Sequence, residues 1–422
     1  MKIDIKALKD SNEFLNTLLQ NIETAVFIAD EHLQIQQFND SFLTLFSGQT
    51  LNQISTGVTN QASGQTCIQD TTIVHTAFGN ATGCINAVKE NKPCGETSVC
   101  QNCSLKKSLL NTLETQKSSE KQSLERIFYF KGKPVKKYLE FSSRPITFHD
   151  QKMILFFVYD ITTIKLSKLE LEEKQKQIDI DLKKAGDIQK SLLPRTLPDV
   201  DSIRIDWFFE PSLTVGGDIF HIYKEDETHI SAYILDVCGH GISAALIAVT
   251  VKQFIDQLHA QGLSQKHFFT PKQMLNALEK EFPFERFDCY LTIVYIRLNL
   301  ETGKLVYGSA GHVPPVIVGD NNRFEVLGQH GMIIGLAYDP PFEEYETCLN
   351  PGERIVLYTD GLIDYFGKRG AVSNTQAFYE TLKTNTHKPI DQMVEQIIVR
   401  QKELQDGIVA GDDISLLVIE YK

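Results

Sequence analysis

Between residues 161 and 193 the chain contains no proline and a single glycine, Gly186, and 13 of the residues from 161 to 190 are charged. Helix formers in such a run build a rod of roughly 50 Å. A rod this polar has no core of its own, so it divides the chain into two parts, 12–160 and 194–422. At a working size of about 150 residues per domain, each flank is long enough for one globular domain. Ile164, Leu171, Ile178, Ala185 and Leu192 recur every seven residues and, set at heptad position d, leave Ile161, Lys168, Gln175, Leu182 and Gln189 at a. Three polar a residues permit two-chain pairing while keeping it marginal. The expectation is a coiled-coil linker helix over 161–193 that makes the protein a homodimer. A solvated connector helix within one chain is the alternative.

The 422 residues are 42% hydrophobic, enough to build cores on both sides of the rod. Lys and Arg total 42 against 54 Asp and Glu, a net charge of −12, which argues against a nucleic-acid or anionic-membrane binder. The longest apolar runs, such as 153–159 and 244–251, fall short of the roughly 20 residues of a membrane helix. The opening Met-Lys-Ile-Asp-Ile-Lys alternates charged and apolar residues and lacks the pattern of a secretory signal. A cytoplasmic protein is expected, with its eight cysteines as thiols or metal ligands and not as disulfides.

Before the rod, the pattern predicts a helix over 12–21, a strand over 24–29, a turn at Asp30-Glu31-His32, a strand over 34–38 and a short helix capped by Asn39 or Asp40. Further strands are predicted over 125–130, 136–142 and 152–159, with Gly132-Lys133 turning between the first two. This order, closed by Asp160-Ile161-Thr162, resembles a PAS sensor domain, which implies an antiparallel sheet with helices. Residues 48–105 read as a polar insertion carrying Cys84, Cys94, Cys100 and Cys103. A Cys-x-x-Cys pair with two nearby thiols suffices for a tetrahedral zinc or an iron–sulfur cluster. A thiol switch and plain packing are the other readings, and Cys67 and His75 are candidate extra ligands.

After Pro194 the chain reads as strands separated by Gly- and Asp-bearing turns. Four acidic sites fall at strand ends: Asp218 after Gly216-Gly217, Asp236 before Val237-Cys238-Gly239-His240-Gly241, Asp360 before Gly361, and Asp412-Asp413. One Asp beside Gly is usually a turn residue. Four in one domain, with glycines that let the backbone come close, point to hard cations bound by oxygen, namely Mg²⁺ or Mn²⁺.

Ile188-Gln189 with Leu192-Leu193-Pro194, then Gly216-Gly217-Asp218, Asp236-Val237-Cys238-Gly239-His240-Gly241, Ala310-Gly311-His312-Val313-Pro314-Pro315, Tyr358-Thr359-Asp360-Gly361 and Asp412-Asp413-Ile414-Ser415 together resemble the successive motifs of SpoIIE/RsbU-type phosphatases, the bacterial branch of the metal-dependent PPM family. The resemblance covers about residues 180–422. It implies a β-sandwich flanked by helices, with two Mn²⁺ or Mg²⁺ ions between the sheets at one end. By position, Asp218 and Asp236 would be ligands, Asp236 bridging, with the Val237 carbonyl assisting. Asp360 and one of Asp412 and Asp413 would complete the shell, with Asp412 the favoured ligand and Asp413 its neighbour. Family members attack phosphorus with a metal-bound water. His240 reads as a proton donor to the leaving oxygen or as a loop-orienting group, His312 as a loop-orienting or a directly catalytic group, and Cys238 as a small packed residue.

The resulting fold class is mixed α/β, or α+β, in two domains joined by a coiled-coil helix. The expected function is a phosphoserine/phosphothreonine protein phosphatase acting on a phosphorylated STAS-domain anti-anti-sigma-type protein in a partner-switching pathway. A catalytically silent scaffold for a phosphoprotein, and a redox or metal sensor with a phosphatase-like output, are the competing readings.

Overall fold

A computed structural model describes residues 19–46, 73–130, 133–148, 151–194, 197–198, 200–319, 322–328, 331–336, 342–367, 370–373, 375–405 and 411–422. The chain divides into two compact units, Met1–Gln175 and Lys176–Lys422. The division falls inside a helix, α5 (Thr162–Leu192), and not at its end. No helix among the described residues is long and apolar enough to cross a membrane.

The N-terminal unit contains β1 (Ala25–Ala29), β2 (Ile35–Phe38), α1 (Asp40–Phe46), α2 (Phe78–Ala81), α3 (Ile85–Glu90), α4 (Ser104–Thr115), β3 (Ser119–Phe130), β4 (Lys133–Phe148) and β5 (Gln151–Asp160). The strands form one antiparallel sheet in the order β2-β1-β5-β4-β3. Successive strand residues face opposite ways, and β1 shows this directly. Phe27 enters a core with Phe42, Phe78, Leu105 and Leu109, while Val26 and Ile28 pack with Leu19 and Met153 on the other face. Phe27 stacks on Phe156 of the neighbouring strand with ring centroids 4.6 Å apart.

Asn39, and not Asp40, caps α1. Its Oδ1 accepts from the Phe42 and Val26 amides at 3.1 and 2.8 Å, and its Nδ2 donates to the carbonyls of Leu19, Ile22 and Thr24. The helix expected over 12–21 and the turn at 132 lie wholly or mostly outside the described residues. The segment read as a polar insertion contributes to the fold in its described part: Phe78, Ala81 and Leu105 belong to the apolar core, so 73–105 is the helical face of the sheet and not an appendage. Its Gly, Thr and Asn content hid the apolar residues spaced between them.

In the C-terminal unit, β6 (Ile203–Glu210), β7 (Ile219–Lys224) and β8 (His229–Val237) precede α6 (Ile242–Gln265), α7 (Pro271–Glu281) and α8 (Phe284–Phe287). There follow β9 (Leu291–Asn299), β10 (Lys304–Ala310), β11 (Val316–Val318), β12 (Phe324–Val326), β13 (Tyr345–Cys348) and β14 (Arg354–Tyr358). A hairpin of β15 (Asp364–Gly367) and β16 (Gly370–Ser373), then α9 (Thr375–Thr384), α10 (Ile390–Gln405) and β17 (Ile414–Tyr421), close the chain. Two five-stranded sheets result, β13-β10-β9-β8-β7 and β12-β11-β14-β17-β6.

The period-two alternation of β14 and β17 explains why both strands are buried throughout. Ile355, Leu357, Leu417 and Ile419 face the first sheet in a shared core, whereas Val356, Tyr358, Leu416 and Val418 pack against α9 and α10. The result is a sandwich with helices outside.

On α5, Ile164, Leu171 and Ile178 are 71%, 67% and 51% exposed, an apolar stripe without cover in the single chain. The heptad reading fails at its last step. Gln189, assigned to an a position, is buried among residues of its own C-terminal unit, and Leu192 and Leu193 pack on that unit's core.

Candidate active site

Four strands deliver the acidic residues. Asp218 directly precedes β7 and Asp236 sits near the end of β8, and the antiparallel pairing of Ile219 with Leu235 puts both at one end of the first sheet. Asp360 follows β14, and Asp412 and Asp413 precede β17. The pairing of Tyr358 with Leu416 puts those three at one end of the second sheet.

The two groups share an electrostatic environment. Burial, followed by the charges of Asp360, Asp412 and Asp413, pushes the Asp236 carboxyl up to about 7. Burial with Asp236 and Asp413 holds Asp218 well above the usual carboxylate range, against the hydrogen bonds from Ser415 and Thr359. Burial also raises Asp360 and Asp412, with like charges adding to it.

Glycines permit this convergence. A Cβ on Gly216 would lie 2.2 Å from Asp413 Oδ2, one on Gly217 2.7 Å from the Val237 carbonyl, and one on Gly361 2.0 Å from the Asp413 carbonyl. The Asp413 carboxylate is fully engaged in holding the loop. Oδ1 accepts from the Ser212 amide and hydroxyl at 2.7 and 3.0 Å, and Oδ2 from the Gly217 amide at 2.5 Å. Asp412 is half-buried and accepts from the Asp413 amide at 2.8 Å. Asp218, which is buried, receives hydroxyl donors from Thr359 and Ser415, both at 2.7 Å to Oδ2.

His312 is buried and held neutral, its imidazole pushed down to about 4 by burial. Nε2 donates to the Tyr358 carbonyl at 2.9 Å and Nδ1 accepts from the Thr292 hydroxyl at 2.7 Å. The ring therefore joins β9 of one sheet to β14 of the other beside the carboxylates. His240 is exposed and close enough to Asp412 to favour its charged form. Cys238 is exposed, contrary to the packed role expected, because it lies in the open turn between β8 and α6.

Among the described residues no three His, Cys, Asp or Glu side chains are already closed around one point. The donor set nonetheless fits hard divalent cations. The groups are oxygen ligands, buried at Asp218 and half-buried at Asp236, Asp360 and Asp412, and mutually repelling, and cations remove that repulsion. Sequence reasoning quoted Thr359, Ser415 and Gln189 within motifs without seeing that they orient the carboxylates and their loop, and missed Ser212.

Gln189 reaches the Gly-Gly-Asp loop from α5. Its Nε2 donates to the Gly216 carbonyl at 2.6 Å and its Oε1 accepts from the Gly216 amide at 3.1 Å. Three residues earlier, a Cβ on Gly186 would lie 2.3 Å from the Thr214 carbonyl. Gln189→Ala leaves two buried backbone groups unpaired, at about 1–3 kcal/mol each. We expect a clear fall in denaturation midpoint and about a tenfold or larger loss of metal affinity by calorimetry. Unchanged affinity would remove the loop-holding role.

The sequence profile described as Stage II sporulation protein E (SpoIIE) matches residues 226–422. This half of the chain belongs to the SpoIIE family. Two similar curated relatives come from Bacillus subtilis (strain 168). Phosphoserine phosphatase RsbU is 27% identical over 251 residues, covering 59% of this chain and 72% of RsbU. Phosphoserine phosphatase RsbP is 26% identical over 247 residues, covering 57% of this chain and 58% of RsbP, so little more than half of that relative is spanned. Among solved structures, the SiaA-PP2C domain of Pseudomonas aeruginosa shares the fold, with a TM-score of 0.51 and 21% identity over 59% of this chain and 99% of that domain. Both curated relatives are named phosphoserine phosphatases, and the fold shared is that of a PP2C domain. The profile begins after Asp218, which the Gly216-Gly217-Asp218 motif nominates and the strand pairing brings to the site.

Proposed function

We propose that the protein is a Mn²⁺- or Mg²⁺-dependent phosphoserine/phosphothreonine protein phosphatase governed by its N-terminal unit, a PAS-like sensor, through α5. The observation that carries this reading is the gathering of Asp218, Asp236, Asp360 and Asp412 from two sheets at one edge of a SpoIIE-family domain. A phosphate dianion is repelled by such a cluster unless cations intervene. Two bound ions supply neutralisation of the phosphate oxygens and a water made acidic enough to replace a protein nucleophile.

The chain's own residues set the geometry. Thr359 and Ser415 fix the free rotation of Asp218, Asp236 stands between the other carboxylates with the Val237 carbonyl beside it, and Asp413 shapes the loop without ligating. His240, exposed beside Asp412, gives a proton to the departing seryl or threonyl oxygen. A silent scaffold is disfavoured: buried, like-charged carboxylates cost stability that a binding surface has no use for.

The substrate we propose is a phosphorylated STAS-domain protein of the anti-anti-sigma type in a partner-switching pathway, supported by the similarity to RsbU and RsbP. Phosphate release from such a protein in Mn²⁺, abolished by EDTA and restored by Mn²⁺, is the expected result. Folded protein that releases none at saturating Mn²⁺ would sink the reading. The exposed stripe of Ile164, Leu171 and Ile178 supports a homodimer through α5. Light scattering should give twice the 47.7 kDa chain mass, reverting to one chain in Leu171→Glu/Ile178→Glu; monomers in both proteins would reject the pairing.

A further inference from the structure

The four cysteines of the N-terminal unit are brought to one place by four different local structures. Cys84 precedes α3, Cys94 lies in the loop after it, Cys100 opens a short 3-10 turn, and Cys103 precedes α4. All four line a single cavity of about 40 Å³. Neither Cys84 nor Cys103 uses its sulfur to cap the helix it precedes, and none of the four is in a disulfide. Cys67 lies outside the described residues, and His75 does not line the cavity.

The surroundings of Cys84 and Cys100 are those of sulfur carrying charge, whereas burial pushes the Cys94 thiol up to about 11 while no cation is bound. The Gly95 amide donates to Cys100 Sγ at 3.2 Å, and the Thr97 hydroxyl lies 2.9 Å from the same sulfur. The Arg126 guanidinium, reaching in from β3, donates to Cys84 Sγ at 3.6 Å. Lys106 also lines the cavity and is held there by the Gly95 carbonyl at 3.1 Å. Two cations and oriented N–H groups around neutral packed thiols would have no electrostatic partner.

Gly79 supplies an independent observation. A Cβ there would lie 2.6 Å from Cys94 Sγ and 3.3 Å from Cys84 Cβ. Its φ is not in the left-handed region, so what the position requires from glycine is space, and that space is filled by two of the four cysteines.

We propose that Cys84, Cys94, Cys100 and Cys103 together bind a thiophilic metal centre, an iron–sulfur cluster or a zinc ion, by four thiolates. Either occupant with four thiolates leaves a net charge of about −2, which Arg126 and Lys106 balance. The sulfurs ring the cavity and are not yet closed around one point, so binding draws the Cys94 loop and the 3-10 turn inward. Cys103 then fixes the first turn of α4, whose Leu105 and Leu109 enter the core and whose Thr112 hydroxyl lies 2.8 Å from that of Ser143 on β4. Metal occupancy is thereby tied to how firmly α4 sits on the sheet. This inference does not depend on the phosphatase reading, because it is measured without turnover.

The full chain, purified without oxygen, is analysed for iron, acid-labile sulfide and zinc and by visible absorption, then stripped and reconstituted with iron plus sulfide or with zinc. The expected result is either about four iron and four sulfide per chain with charge-transfer colour, or about one zinc without colour. Cys100→Ser/Cys103→Ser should retain less than about a tenth of that metal, while Cys348→Ser, at an exposed cysteine of the other unit, retains it all. Gly79→Val, which crowds the cavity and leaves every thiol in place, should also lose it. Helical content by circular dichroism separates loss of metal from loss of fold. Metal below about a tenth of an equivalent in purified and reconstituted protein, equal metal in the double variant, or four cysteines recovered as two disulfides from anaerobic protein would each overturn the proposal.

Discussion

On replacing Asp236 by asparagine, phosphate release in Mn²⁺ should fall by about a thousandfold or more, some 4 kcal/mol of transition-state stabilisation. The substitution keeps shape and volume and removes one charge from the centre of the cluster. The same variant should melt higher than the parent protein in EDTA. Asp236 is half-buried and feels Asp360, Asp412 and Asp413 at once, so its negative charge opposes folding whenever no cation offsets it. Opposite signs for stability and activity mark a residue kept for chemistry and not for the fold. Thermal melting in EDTA and phosphate release in Mn²⁺, measured on the same preparations, check both halves. Equal phosphate release by the two proteins, or a lower melting temperature in EDTA, would contradict the assignment.

Gly361→Ala should be among the most damaging single-methyl additions in the C-terminal unit. The new Cβ would stand 2.0 Å from the Asp413 carbonyl oxygen and 2.8 Å from its carbon, backbone atoms that cannot rotate away. Relief requires the end of β14 to separate from the start of β17, where the Thr359 amide donates to the Ser415 carbonyl at 3.1 Å and the Thr359 hydroxyl holds Asp218. A loss of about 3 kcal/mol or more is expected by denaturant titration, together with loss of Mn²⁺ binding. Gly328→Ala is the control, since its nearest neighbour, the Val326 carbonyl, would lie at 4.0 Å; a comparable loss in both would refute the crowding argument.

The acidic residues could be read from sequence because, although one aspartate beside glycine is usually a turn residue, four at the ends of apolar runs in one domain form a pattern. The groups that orient them could not. Thr359 and Ser415 lie in or beside strands where a hydroxyl usually marks a solvent-facing position, yet both point at the buried Asp218. Gln189 was hidden by the heptad it sits in. A polar residue at a satisfies a pairing rule and a loop-bonding role equally well, and only the distance to Gly216 decides between them. His312 could be read as a loop-orienting residue, but its partners on two different sheets could not. The strands of the N-terminal unit were readable from alternation. Its helical face was not, because short helices of one or two turns leave too little periodicity. The convergence of four cysteines spaced by nine, five and two residues likewise depends on a loop and a 3-10 turn that composition does not encode.

The C-terminal unit begins at Lys176, inside α5, and Gly186 and Gln189 both lie in that stretch. A fragment cut at residue 194, where the helix ends and the strands begin, would keep every acidic residue and lose the amide that braces Gly216. The transferable piece is therefore catalytic domain plus the last turns of the helix. Gene fusions that exchange the sensor must join within α5, upstream of Gly186, and a junction there preserves the brace whatever sensor precedes it.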